Sequence, residues 1–284
     1  MSSDKQNPDV ASGKDEAYEN FPVGSFLLPA ELRPAIAAYY AFARETDDIA
    51  DSPALSADEK VDWLARFDAA VSGASDDPAC ASALALREKL AEHGVNDRHA
   101  RDLLIAFTRD ARKTRYADWD AVIDYCLHSA SPVGRFLLDL HGEDPAGYVA
   151  SDALCNALQV INHLQDCKAD YLDLDRVYLP ESWLKAEEGT IESLAADQAG
   201  PALRHVIDRT LDHTEELMTV ARTLPGRLKS RRLAMESAAI IRIADRLIGH
   251  LRRRDPLSER VKLSKPEYLY CMVCGVFAVL FKKG

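Results

Sequence analysis

The stretch LRPAIAAYYAFARETDDIAD, residues 32–51, decides the architecture. Leu32, Ile36, Tyr39 and Ala43 recur at spacings of three and four, the period of a helix with one apolar face, which predicts a helix running to about Ile49. The same segment ends in Asp47, Asp48 and Asp51. Asp47 and Asp51 are i,i+4 and share a helix face, where like charges repel by roughly 0.2–0.5 kcal/mol per pair. They also lie near a helix C-terminus, where the dipole disfavours anions. Tyr39, Tyr40 and Phe42 flank them, so the helix reads as largely enclosed. Carboxylates in such surroundings need compensation, and a cation is the natural one.

The helical period continues outward from this segment. Ser56-Ala-Asp-Glu59 has the form of a capping box and predicts a helix to about Ala70. Further helices are expected at 80–92, 97–114, 118–128, 132–141, 150–171, 200–223, 228–254 and 266–281, with Gly and Pro between them. No strand-period alternation of any length is found, and 172–199 is the longest stretch without a clear helix. The expectation is an all-α protein: a mobile, polar segment over 1–17, then one large helical bundle over 18–284.

A second acidic patch lies in ALQVINHLQDCKADYLDLDRVYLP, residues 157–180. Asp166 and Asp170 are again i,i+4, and Asn162 one turn earlier extends them into a polar stripe on an otherwise apolar helix. One such patch alone reads as a solvated helix end. Two of them, facing each other across a bundle, would form an all-oxygen site for hard divalent cations. Mg²⁺ is the expected ion, because it combines carboxylates with waters and a substrate's phosphate oxygens. Arg44, Arg176 and Arg260 are the candidates to meet outer phosphate oxygens of a bound diphosphate.

Composition narrows the function classes. The chain has 284 residues, 47% hydrophobic and 29% charged, enough for a sizeable core. Its net charge of −11 argues against a nucleic-acid partner. The six cysteines are scattered, and no apolar signal segment opens the chain, so free thiols in a cytoplasmic setting are expected. Cys271 and Cys274 form a CxxC inside an apolar run and read as core thiols. That run, Tyr268 to Phe281, is too short to span a bilayer. Lys282 and Lys283 follow it, which suits either a buried terminal helix or peripheral contact with the inner face of the cytoplasmic membrane.

The motifs resemble the squalene/phytoene synthase family of head-to-head prenyl synthases. The landmarks are YAFARETDDIAD at 40–51, SPVGRFLLDLHG at 131–142, NHLQDCKAD at 162–170 and RVYLP at 176–180. The opening ENFPVGSFLLPAELRP at 19–34 is most similar to bacterial hydroxysqualene synthases of hopanoid pathways. The resemblance implies the class I isoprenoid synthase bundle with a central cavity. It implies Asp47, Asp48 and Asp51 as the first metal motif and Asn162, Asp166 and Asp170 as the second, with Asp47, Asp51, Asp166 and Asp170 essential to catalysis. Arg44 and Arg260 match positions that meet diphosphate. Two positions depart from the family pattern: Gln165 stands where Arg is common, and Ile243 where an aromatic is common.

The implied reaction is ionisation of presqualene diphosphate, rearrangement of the carbocation and quenching by water to hydroxysqualene. Phe21, Phe26, Tyr40, Phe42, Tyr125 and Phe136 are candidates to face the cation, with plain core packing as the alternative for each. Tyr40, His163 and Gln165 are candidates to position the water, a core histidine being the plainer reading of His163. Two rival readings stand beside this one. The first is condensation of two prenyl diphosphates to presqualene diphosphate, squalene or phytoene. The second is a non-catalytic helical assembly factor, which would have no use for paired carboxylates. Hand-over of product to other isoprenoid-pathway enzymes is the further partner expectation.

Overall fold

The computed structural model describes residues 27–281; the 1–17 segment, Phe21, Phe26, Lys282 and Lys283 lie outside them. The described chain forms two compact units, one over 29–113 and one made of 27–28 with 114–281.

The first unit is four helices: α1 (Arg33–Asp51), α2 (Ala57–Val71), α3 (Ala81–His93) and α4 (Arg98–Asp110). Pro34 sits in the first turn of α1, where its missing N–H costs nothing. The face of α1 formed by Ile36, Tyr39, Phe42, Thr46, Ile49 and Ala50 is buried against α2, α3 and α4. Tyr39 Oη donates to the His99 carbonyl at 3.1 Å, and the buried Thr46 hydroxyl donates to Phe42 O at 2.8 Å. The capping box that starts α2 is present, with Ser56 and Glu59 each satisfying the other's backbone N–H.

The second unit is built around one long helix. It contains α5 (Trp119–Ser129), α6 (Ser131–Leu140), α7 (Tyr148–Leu174), α8 (Glu181–Ala186), α9 (Pro201–Ala221), α10 (Arg231–Leu251) and α11 (Lys265–Leu280). α7 packs against α5, α6, α9 and α10, and Leu154, Ala157, Ile161 and Leu164 enter the core with Val206, Ile207, Leu211, Ala244 and Leu247. α6 comes close to α7 at Gly134: a Cβ there would lie 2.3 Å from Ser151 Oγ and 2.7 Å from Cys155 Sγ. Beside it, Arg135 grips Asp152 through two bonds of 2.8 and 2.6 Å, and Ser131 Oγ donates to Asn156 Oδ1 at 2.9 Å. The SPVGRF landmark is therefore a clamp between two helices.

Three features differ from the sequence-based expectation. The helix expected over 97–114 stops at Asp110. A small parallel sheet, β1 (Arg115–Tyr116) with β2 (Val177–Pro180), occupies part of the stretch read as irregular. It is too short to show alternation, and β2 ends in Pro180. α11 is neither internal nor free. Cys271, Met272 and Gly275 are buried against α10, whereas Leu269, Tyr270, Val273, Phe277, Leu280 and Phe281 are exposed. At 100° per residue those six fall on one face. Gly275 permits the contact, since a Cβ there would lie 2.4 Å from the Ala239 backbone. All six cysteines are free thiols, and Cys271 is among the buried ones.

Candidate active site

The first acidic motif occupies one face of α1. Tyr40, Arg44, Asp47, Asp48 and Asp51 fall within about 100° of one another on the helix, opposite the core face. All five side chains are half-buried. The separation of faces has a sequence cause: Arg44 and the acids follow the spacing 44, 47, 48, 51, and the buried residues, apolar except Thr46, follow 35, 36, 39, 42, 46, 49, 50. Phe42 belongs to the second set. Its ring is wholly buried, with its centroid 6.2 Å from that of Phe67, so Phe42 is a core residue and does not face a substrate with the acids.

The second motif occupies α7 in the other unit. Asn162, Asp166 and Asp170 are half-buried on one stripe, while Leu158, Ile161 and Leu164 are buried. The structure brings Arg260 to this stripe from 94 residues away. Its guanidinium clasps the Asp166 carboxylate with Nε–Oδ1 2.7 Å and Nη2–Oδ2 3.2 Å. Side-chain exposures of 28% and 18% make this a partly shielded pair, stronger than a surface bridge. Gln165, buried on the same helix, donates its amide N–H to the Val261 carbonyl and so anchors the residue next to Arg260. Gln165 thus acts on the chain segment that carries Arg260.

Arg176 is buried at the far end of α7. Asp175 adopts a left-handed conformation (φ 51°) that ends the helix, and the Arg176 N–H then donates to Asp170 O at 3.0 Å. Arg115 on β1 bonds both the carbonyl and the carboxylate of Asp175, and Val177 N–H donates to Thr114 O at 2.9 Å. The two-stranded sheet therefore holds RVYLP against the end of the acidic helix.

His163 stands between Asn162 and Asp166 in an aromatic cluster. Its ring stacks on Tyr178 at 3.6 Å and 13°, with Tyr125 at 5.9 Å, and Tyr116 completes the group at 5.4 Å from Tyr125. Burial, aided by the Arg176 charge, lowers its pKa to about 3, so the imidazole is neutral. The stretches of sequence around the motifs did not reveal two other groups. Glu236 on α10 is a buried acid whose pKa burial raises to about 8, and its Oε2 has no hydrogen-bond partner among the described residues. Glu143 is buried and accepts from the backbone N–H groups of Lys229 and Ser230 at 2.8 and 2.7 Å, capping the start of α10. An isolated Glu in a helical or loop segment carries no sequence signal for either role.

The donors of both motifs are oxygen atoms, the set a hard divalent cation takes. Among the described residues no three His, Cys, Asp or Glu side chains converge as a preformed metal cage. Mg²⁺ does not require one, because it uses one or two carboxylates with waters and phosphate oxygens. The donor chemistry of Asp47, Asp48, Asp51, Asn162, Asp166 and Asp170 therefore fits the ion.

Comparison with known proteins gives the chain relatives in sequence and fold. The family model described as squalene/phytoene synthase matches residues 15–267. A hydroxysqualene synthase from Rhodopseudomonas palustris is 44% identical over 261 residues, 92% of this chain and 89% of its own. That of Zymomonas mobilis is 42% identical over 262 residues, covering 92% and 88%. The crystal structure of a squalene synthase from Alicyclobacillus acidocaldarius superposes with a TM-score of 0.71 at 32% identity, over 81% of this chain and 87% of its own. A dehydrosqualene synthase shares the fold, with a TM-score of 0.77 at 20% identity over 89% of each chain. With its helical fold, its two acidic helices and these relatives, the chain belongs to the squalene/phytoene synthase family.

Proposed function

We propose that this protein ionises presqualene diphosphate and quenches the rearranged carbocation with water, giving hydroxysqualene for squalene and hopanoid biosynthesis. The observation that carries the reading is the second motif as folded: an Asn162–Asp166–Asp170 stripe with Arg260 paired to its central carboxylate. That is the charge arrangement a diphosphate site needs before substrate arrives. The hydroxysqualene synthase relatives support the choice of reaction within the family.

In this proposal Asp47, Asp48 and Asp51 on α1, and Asn162, Asp166 and Asp170 on α7, are the residues that would hold Mg²⁺ and the substrate's diphosphate. The ion, when bound, supplies Lewis-acid stabilisation of the leaving group's charge. Arg44, Arg176 and Arg260 contact the outer phosphate oxygens. Arg260 compensates Asp166 in the free protein, so that carboxylate is not left as an uncompensated charge before the cation arrives. Tyr40 lies one turn from Arg44 on the same face and contacts the substrate there; Phe21 is a further proposed contact. Gln165 contributes by fixing the Arg260 segment.

The prenyl chains are water-insoluble, which gives the exposed face of α11 a purpose. Leu269, Tyr270, Phe277 and Phe281 are 64, 61, 50 and 73% exposed. Lys262 and Lys265 precede them in sequence, and Lys282 and Lys283 follow. Apolar side chains between basic residues suit the surface of an anionic bilayer. No described helix is long and apolar enough to cross a membrane. The proposal is peripheral residence on the inner face of the cytoplasmic membrane, with the product handed on to other isoprenoid-pathway enzymes.

The competing reading is head-to-head condensation, favoured by the likeness to a squalene synthase structure at 32% identity. Incubation with Mg²⁺ and either presqualene diphosphate or farnesyl diphosphate separates the two. Hydroxysqualene from presqualene diphosphate supports the proposal. Consumption of farnesyl diphosphate alone, with presqualene diphosphate untouched, supports condensation.

A further inference from the structure

The Nε2 atom of His163 is buried and has no hydrogen-bond partner among the described residues. The residue is 8% exposed, so solvent does not serve it freely. A buried polar atom left unsatisfied costs about 1–3 kcal/mol, and such an atom in a folded protein calls for an explanation. Packing does not supply one. The ring is fixed by its stack on Tyr178 at 3.6 Å and by Tyr125 at 5.9 Å, and a phenyl ring would stack equally well without burying a nitrogen. Metal ligation does not supply one either, since the surrounding motif donors are oxygen and a hard cation prefers them.

Position on the helix points to the remaining use. At 100° per residue, His163 lies about 20° from Asp170 and about 60° from Asp166 around α7. The imidazole therefore shares the broad face of the acidic stripe, next to where the diphosphate-bearing end of the substrate is proposed to sit. The same cluster contains two phenolic hydroxyls, Tyr125 Oη and Tyr178 Oη, 3.5 Å apart. A held water needs two to four polar partners, and this is a polar spot inside an aromatic wall.

We infer that His163 Nε2 holds the water molecule that ends the reaction. This rests on the proposed hydroxysqualene-forming reading. In the step, a lone pair of the held water forms the new C–O bond to the carbocation. The resulting oxonium gives up one proton to the diphosphate anion released by the ionisation. Carbon gains oxygen with no change of electron count beyond the shared pair, so no oxidant or reductant is needed. His163 acts through the water and is a positioning residue. Its effect is to set whether the cation captures water or loses a proton to become an alkene.

The test compares His163→Phe, which keeps the stack, with His163→Gln, which keeps a hydrogen-bonding group. Each is incubated with Mg²⁺ and presqualene diphosphate, and both diphosphate release and products are measured. The expected result is diphosphate release within about threefold of the parent for both. The alcohol-to-alkene ratio should fall at least tenfold in His163→Phe and recover partly in His163→Gln. An unchanged ratio in His163→Phe overturns the inference. A high-resolution crystal structure of the unmodified protein is the second arm. Ordered water within hydrogen-bonding distance of Nε2 supports the assignment, and a dry Nε2 overturns it. This arm decides the water site even if the variant fails to fold. It also decides it if the parent enzyme forms no alcohol, a result that would sink the proposed function by itself.

Discussion

Asp166 and Arg260 show how a single half-buried carboxylate is compensated within the fold. The carboxylate sits half-buried on α7, and the guanidinium holds it through two bonds. Asp47→Asn and Asp166→Asn each remove one proposed metal ligand and one like-charge repulsion. Turnover of presqualene diphosphate should fall by about a hundredfold or more, the scale of losing one charge-stabilising group. The far-ultraviolet circular dichroism should be unchanged, and full activity in either variant contradicts the proposed roles. Glu236 gives a pH prediction. Burial keeps its proton in the folded state up to about pH 8, whereas the unfolded chain loses it near 4.5. The folded state then binds more protons between those values, so stability falls as pH rises through that window. Glu236→Gln cannot ionise, so its stability relative to the parent should increase from pH 5 to pH 8 in urea titrations. A difference independent of pH would show that the acid is ionised when folded. The acids of both motifs were legible because i,i+4 carboxylates on apolar helices are costly without a partner. The Arg260 pairing was not, because nothing local links residues 94 apart. For Phe42 the core-packing alternative holds, because it lies on the buried face of α1 against Phe67.

The helices follow from local rules that the sequence carries openly. Breakers and caps placed α2, α3, α5 and α6 close to their observed ends, and the Ser56–Glu59 box is present as expected. β1 and β2 escaped notice because their pairing is between segments some 60 residues apart and each is only a few residues long. The outward face of α11 was also invisible, since a helix apolar on every side does not announce which side is covered. Gly275 settles that side by allowing α10 within backbone distance. Gly275→Ala should push the helices apart and cost about 1–3 kcal/mol, the usual scale of overpacking, read from the shift in urea midpoint. A neutral outcome would mean that α11 docks elsewhere. The exposed face makes a separate prediction. The protein should float with liposomes containing anionic phospholipid, lose that binding as salt rises, and float poorly after Phe277→Ser with Phe281→Ser. Equal recovery with the double variant would remove α11 from the membrane proposal.

For the whole molecule, the order of motifs along the chain mattered more than any one of them. Two acidic helices, the Gly-containing SPVGRF segment that lies between them in sequence and RVYLP just after the second are enough to place the chain in its family, and the comparisons agree over residues 15–267. What that order does not convey is which diphosphate reacts, because related reactions share the ionisation step. Chelation by EDTA should abolish turnover while leaving helical content intact, and Mg²⁺ should restore it. Turnover that survives chelation would set aside the shared role of the two motifs. The most direct test is product identification from presqualene diphosphate with Mg²⁺ in H₂¹⁸O by mass spectrometry. The expected product is hydroxysqualene carrying one ¹⁸O on carbon. Squalene, dehydrosqualene or unreacted presqualene diphosphate as the sole species recovered would contradict the proposed function.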